Sequence, residues 1–173
     1  MTKYVAFLRG INVGGHNIKM AELKTCFESL GFHSVVTVLQ TGNVVFEIST
    51  DPTHLKLTIE DELIKKFHYS IRVQVYSFDR LKNILTNNPF TCDDSHHNYV
   101  LFFENNLEKQ LVSEAYELNS NVDSIQAGNG VIYWRVPIGL TLSSNFAKYL
   151  TKAKYKNFNT NRNIKTLQKI IDT

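Results

Sequence analysis

The sequence predicts an α+β chain, and three observations predict it. Apolar runs of about five residues alternate with helical patterns in a fixed order. That order occurs twice. The glycines fall between the runs rather than inside them.

Tyr4-Val5-Ala6-Phe7-Leu8 reads as the first strand. A long loop follows, Arg9-Gly10-Ile11-Asn12-Val13-Gly14-Gly15-His16-Asn17. Met20, Leu23, Phe27 and Leu30 then recur at helical spacing, and Gly31 ends that helix. Residues 35–39 and 44–48 are strands joined through Thr41-Gly42-Asn43, a tight hairpin signal. Asp51-Pro52 predicts a helix start, an N-cap followed by proline. Leu55, Ile59, Leu63 and Phe67 line one face of that helix, and Ile71-Arg72-Val73-Gln74-Val75 alternates as a strand. The order β-α-β-β-α-β is the ferredoxin-like arrangement.

A linking helix is expected next, with Ser77 as its cap and Leu81, Ile84 and Leu85 as its apolar face. Asn87-Asn88-Pro89 stops it, and Thr91-Cys92-Asp93-Asp94-Ser95-His96-His97-Asn98 reads as a polar loop. Tyr99-Val100-Leu101-Phe102-Phe103 then echoes the first strand. Leu107, Leu111, Ala115 and Leu118 mark a helix. Gln126-Ala127-Gly128-Asn129 echoes Gln40-Thr41-Gly42-Asn43, and a strand over 131–136 follows. Helices around 143–152 and 163–171 complete the chain. The fold class is therefore α+β, two tandem ferredoxin-like halves with antiparallel sheets plus a C-terminal helix. The boundaries are 1–77 for the first half, 78–97 for the linking helix and loop, and 98–173 for the second half. An internal duplication explains the echo.

Composition narrows the class. The 173 residues contain 43% hydrophobic side chains, enough for a real core. No stretch approaches the ~20 apolar residues of a membrane span, and the start lacks the zones of a signal peptide. No membrane partner is expected. Cys26 and Cys92, with no CxxC spacing, read as free thiols in a reducing cytoplasm. The net charge of +3 is uneven. From Phe146 onward Lys148, Lys152, Lys154, Lys156, Arg162, Lys165 and Lys169 stand against Asp172 alone. Phe146, Tyr149, Tyr155 and Phe158 interleave with them. Such a pattern suits nucleic acid, although a solvated helix face with core aromatics is the favoured reading. The third strand, Val44-Val45-Phe46-Glu47-Ile48, lacks the RNP1 pattern, and the first is apolar on both faces. Both sheet faces are therefore expected to be covered, with little open platform for bases.

The loop at 9–17 carries the strongest functional signal. Tyr4 to Gln40 spans 36 positions, whereas Tyr99 to Gln126 spans 27. The first half is nine residues longer, the length of the loop; at that place the second half has Glu104-Asn105-Asn106. Drifted loop length between old copies is one account; a functional insertion is the other. In a sheet ordered 4-1-3-2 this loop and the turn between the second and third strands emerge at one end. Arg9, Gly10, Asn12, Gly14 and Gly15 then stand near Gln40, Thr41 and Asn43. Backbone donors, a guanidinium and no carboxylate suit a small anionic ligand, phosphate- or carboxylate-bearing. Arg162 and Asn163, near the start of the last helix, are further candidates.

No cofactor is expected. Gly10 and Gly15 have Walker spacing, but His16 and Asn17 replace the lysine and the hydroxyl residue. The dinucleotide fingerprint also fails. An enzyme acting on a small phosphorylated or carboxylated metabolite is the alternative reading, with His16 as acid or base. Asp93, Asp94, His96 and His97 are weak metal candidates, because adjacent histidines point apart in extended chain; no metal is expected.

The blocks Tyr4-Val5-Ala6-Phe7-Leu8-Arg9-Gly10-Ile11-Asn12-Val13-Gly14-Gly15, Met20-Ala21-Glu22-Leu23 and Gln40-Thr41-Gly42-Asn43-Val44-Val45-Phe46 resemble one bacterial family. It is catalogued as domain of unknown function 1697. Asn88-Pro89-Phe90 and Thr160-Asn161-Arg162-Asn163 match further family blocks. The resemblance implies a cytosolic protein with two ferredoxin-like halves and brings no established activity. The chain departs from the family where Tyr76 replaces an arginine and where Gly139-Leu140-Thr141-Leu142-Ser143-Ser144 lacks the usual Arg and Lys. It departs again at Arg162-Asn163-Ile164-Lys165-Thr166. The first-half loop is intact.

Overall fold

The computed structural model describes residues 1–12, 14–49, 51–103, 107–116, 122–152, 155 and 159–173. Val13, Glu104, Asn105, Asn106, Leu118, Lys154, Lys156 and Phe158, used in the sequence argument, lie outside the described residues. The chain divides into two compact units, Met1–Lys82 with Lys169–Thr173, and Asn83–Gln168.

In the first unit β1 (Thr2–Arg9), β2 (His33–Val38), β3 (Asn43–Ile48) and β4 (Arg72–Ser77) form one sheet in the order β2-β3-β1-β4. β1 is antiparallel to both neighbours; Val5 stands opposite Val45 on one side and Tyr76 on the other. This is the predicted 4-1-3-2 order. α1 (Met20–Ser29) buries Leu23, Cys26 and Phe27, which recur at three- and four-residue spacing. α2 (Leu55–Phe67) buries Leu55, Ile59 and Leu63 at four-residue spacing. Both helices pack on Ala6, Leu8, Val44 and Phe46 of the sheet. Each fully buried Leu or Phe contributes about 1.5–3 kcal/mol. Glu60 of α2 is buried with a purpose: its Oε1 accepts the Val73 N–H at 2.8 Å. β4 is an edge strand, and this bond satisfies one of its outward amides.

Asp51-Pro52 does not start α2. The Asp51 carboxylate accepts the Thr53 N–H at 2.9 Å and the Thr53 hydroxyl, forming a local turn. That use of the side chain delays the helix to Leu55.

In the second unit β5 (His96–Phe103), β6 (Ser124–Ala127), β7 (Val131–Pro137) and β8 (Asn159–Asn163) form a sheet ordered β6-β7-β5-β8. The order repeats that of the first unit, strand for strand. α3 (Phe78–Thr86) precedes β5, and the Ser77 hydroxyl accepts the Arg80 N–H at 3.3 Å, as the capping argument expected. α4 (Glu108–Tyr116) and α5 (Asn145–Leu150) follow, and α6 (Ile164–Ile171) ends the chain. Leu101, Ile132, Trp134, Leu111 and Phe146 form the core of this unit.

Three expectations change here. His96, His97 and Asn98 are the first residues of β5 rather than loop, because each has a partner on β7. The helix expected over 143–152 is shorter, since Ser144 caps it by accepting the Ala147 N–H. β8 was not anticipated. Asn-Thr-Asn-Arg-Asn has no apolar alternation, and only pairing with β5 makes it a strand.

Both faces of β1 are covered. Ala6 and Leu8 face the helices, and Val5 and Phe7 on the other face are fully buried as well. Phe102, Tyr133 and Tyr76 are buried too, so these strand aromatics offer no open stacking platform. Among the described residues no helix is long and apolar enough to cross a membrane.

The two cysteines differ sharply. Burial pushes the Cys26 thiol up to about 11, with Glu62 adding to the effect, whereas Cys92 is exposed. A raised thiol value leaves little thiolate at pH 8. Titration of the native protein with Ellman's reagent is expected to show one fast thiol, Cys92. The second should react only at the rate of unfolding, and Cys92→Ser should remove the fast phase alone.

Candidate functional site

Antiparallel pairing brings three connections to one end of the first sheet. Arg9 ends β1 opposite Arg72, which begins β4. Phe7 stands opposite Asn43, the start of β3, and Asn43 opposite Val38, the end of β2. The 10–19 loop, the 39–42 turn and the 68–71 connection therefore emerge together.

The loop takes its shape from unusual backbone angles. Gly10, Asn12, Gly14 and Gly15 have φ of 84°, 54°, 61° and 85°. Glycine adopts this region without a Cβ penalty, and asparagine tolerates it. Asn12 then pins the loop from both sides. Its Nδ2 donates to the Gln40 carbonyl at 3.2 Å, and its Oδ1 accepts the Ile18 N–H at 3.0 Å. Ile11 is buried against Gly42; a Cβ at Gly42 would lie 2.5 Å from Ile11 Cδ1. The Gly42 carbonyl in turn accepts the Leu8 N–H at 2.8 Å. Loop, turn and strand are thus one packed assembly.

Asn43 serves the turn. It is fully buried, and its Nδ2 donates to the Val38 carbonyl and to Thr41 Oγ1, both at 2.9 Å. Asn12 and Asn43 accordingly hold the framework, while Gln40, Thr41, Gly14 and Gly15 are exposed at its surface. Arg9 is half-buried, and burial lowers its pKa. The segments that sequence reasoning grouped lie at one end of the sheet, and Asn12 and Asn43 also make the hydrogen bonds that hold them.

Sequence reasoning missed the 68–72 segment. The His16 ring stacks on Tyr69 with centroids 3.9 Å apart, and a Cβ at Gly10 would stand 3.7 Å from the Ser70 carbonyl. Arg72 is exposed opposite Arg9. The signal was available: in the predicted strand order the fourth strand starts where the first one ends.

Arg162 and Asn163 lie in the second unit, on β8. Burial pushes the Arg162 guanidinium down to about 10. Its Nη1 donates to Thr160 Oγ1 at 2.9 Å and to the Asn161 carbonyl at 2.8 Å. Asn163 caps α6 by accepting the Lys165 N–H at 2.8 Å.

The Asp93 region forms a separate polar cluster. The Ser95 hydroxyl and then Arg135 hold the Asp93 carboxyl well below the usual carboxylate range. His96 Nδ1 lies 3.0 Å from Asp93 Oδ1 and 2.9 Å from Arg135 Nη2. These groups link the start of β5 to β7. Among the described residues no three His, Cys, Asp or Glu side chains converge as metal ligands.

No curated protein matches the sequence. The conserved bacterial protein SP0830 from Streptococcus pneumoniae is similar over 99% of this chain and 97% of its own, at 24% identity and a TM-score of 0.83. At that identity the likeness speaks for the fold. An unknown protein from Galdieria sulphuraria aligns over 94% of this chain and 96% of its own, but at 9% identity and a TM-score of 0.28. The model of the family described as Protein of unknown function (DUF1697) matches residues 1–133, and the chain belongs to that family.

Proposed function

We propose that this protein binds a small anionic ligand, phosphate- or carboxylate-bearing, at the 9–15 loop in the cytoplasm. The observation that carries the reading is the left-handed backbone at four residues of the loop that follows half-buried Arg9: Gly10, Asn12, Gly14 and Gly15. Left-handed residues can turn neighbouring N–H groups toward one concave side, where an anion fits. Arg9 supplies the charge and a planar fork of donors. Asn12 and Asn43 are positioning residues; Gln40 and Thr41 form the opposite lip. On sequence grounds Arg162 and Asn163, on β8 of the second unit, are proposed as anion contacts in their own right. In this reading the chain is a duplicated unit, halves 1–77 and 98–173 joined by 78–97, and the binding loop is the insertion that distinguishes the first copy.

A thermal-shift screen of inorganic phosphate, nucleotides and sugar phosphates tests the reading. At least one is expected to stabilise the protein, with the stabilisation lost in Arg9→Ala. If no stabilising ligand depends on Arg9, the site is not an anion site.

A further inference from the structure

A small cleft in the second unit opens beside the exposed Cys92. Asp93, Asn98, Asn163 and Lys165 share its wall with Cys92. All of them lie within Asn83–Gln168, so the site is independent of the 9–15 loop. Asn98 is only 6% exposed. Its Nδ2 donates to the Thr91 carbonyl at 3.0 Å and to Cys92 Sγ at 3.3 Å. Only the amide nitrogen can donate to a carbonyl, so the orientation of the head is fixed. Its Oδ1 is buried and has no hydrogen-bond partner among the described residues. A buried acceptor without a donor is rare and calls for an explanation. Because the amide head touches Cys92, the missing donor belongs next to the thiol. Lys165 is exposed in the first turn of α6, where the helix dipole also favours an anion. Asp93 is already engaged by Ser95 and Arg135. The cleft thus asks for an N–H group at Asn98 and a carboxylate at Lys165, around one thiol.

We propose that Cys92 is an S-thiolation site for small thiols built on cysteine, with Asn98 Oδ1 receiving the cysteine N–H. In such a mixed disulfide four bonds separate Cys92 Sγ from the incoming nitrogen, a span of about 4–5 Å. That span suits an amide head whose own nitrogen stands 3.3 Å from Sγ. The cleft is water-sized, so the N–H group enters it and the rest of the molecule stays at the exposed mouth. The Cys92 thiolate attacks one sulfur of the small thiol's disulfide. A new S–S bond forms at Cys92 as the old one breaks. The second sulfur leaves as a thiolate and takes up the proton that Cys92 lost. The small disulfide is the oxidant, and excess thiol reverses the exchange.

Exchange equilibria read by intact mass spectrometry test the site, with a peptide of residues 88–96 as the reference thiol. The disulfides compared are cystine, oxidised glutathione, cystamine, which lacks the carboxylate, and 3,3′-dithiodipropionate, which lacks the N–H. Relative to the peptide, the protein is expected to favour the cystine or glutathione adduct about tenfold and the dithiodipropionate adduct not at all. Preference for cystine assigns free cysteine as the source; preference for oxidised glutathione assigns a cysteinyl peptide. Asn98→Ala should erase the preference, and thermal unfolding checks that this variant folds. Lys165→Gln, at an exposed position, should lower the preference for cystine over cystamine about threefold. Cys92→Ser should abolish the adduct. Equal preference for cystine, oxidised glutathione and dithiodipropionate on wild type overturns the proposal, because a water alone then serves Asn98. That comparison decides by itself should Asn98→Ala not fold. Full preference in a folded Asn98→Ala, or an adduct that survives Cys92→Ser, overturns it as well. An unchanged Lys165→Gln overturns the carboxylate contact.

Discussion

Gly42→Ala destabilises the first unit by about 2–4 kcal/mol, read from urea or thermal denaturation followed by circular dichroism. Two independent causes add. Gly42 has φ of 72°, a region that costs an L-residue about 1–2 kcal/mol. Its new Cβ would lie 2.5 Å from Ile11 Cδ1 and 3.0 Å from Leu8 Cβ. The Ile11 tip can rotate, but Leu8 Cβ is fixed to a central strand, so the turn itself must move. That movement pulls on the Leu8 N–H bond to the Gly42 carbonyl and on the Asn12 bond to the Gln40 carbonyl. The proposed anion binding at the loop should fall with stability, because the two share one assembly. Gly128, in the turn between β6 and β7, makes a control. A Cβ there would meet the Tyr133 ring edge at 2.7 Å and Val131 Cγ2 at 2.9 Å, without a left-handed φ. Gly128→Ala is expected to cost about 1–2 kcal/mol less than Gly42→Ala. Equal losses would mean that backbone conformation contributes nothing at Gly42.

Trp134→Ala destabilises the second unit by about 3–5 kcal/mol. Trp134 is the single tryptophan and is fully buried on β7. Its ring meets Phe146 edge-on at 5.4 Å and Tyr99 at 5.2 Å. Its Nε1 donates to Asp123 Oδ1 at 2.7 Å, while Asp123 Oδ2 accepts the Phe146 N–H at 3.2 Å in the first turn of α5. Removal thus leaves a cavity and frees the carboxylate that ties β7 to α5. Trp134→Phe keeps most of the ring and loses the donor. Asp123 is half-exposed and can take water instead, so about 1–2 kcal/mol is expected. Chemical denaturation followed by circular dichroism reads both variants. If alanine cost less than phenylalanine, the cavity argument would be wrong.

Much of this was legible in the residues. The 3.6-residue spacing of Leu23 and Phe27, and of Leu55, Ile59 and Leu63, gives helices because each stripe must be buried on one side. The apolar run at β1 gives a central strand because both of its faces are buried. What failed shared one cause. β8 is polar throughout and exists through its partner β5. Asp51 reads equally well as a helix cap or as a turn former, and local sequence does not choose between them. His96 and His97 carry strand geometry imposed by β7.

At the candidate site the division is similar. Sequence alone located the loop, the Gln40–Asn43 turn and their common end, since those follow from glycine positions and strand order. Tertiary structure decided the work of each side chain. The linear chain does not show that the amides of Asn12 and Asn43 close backbone bonds within the assembly. Arg72 looks like an ordinary strand charge until the register sets it against Arg9. The physical reason is that periodicity reports which face a residue takes, whereas hydrogen-bond partners and cross-strand neighbours depend on segments distant in the chain.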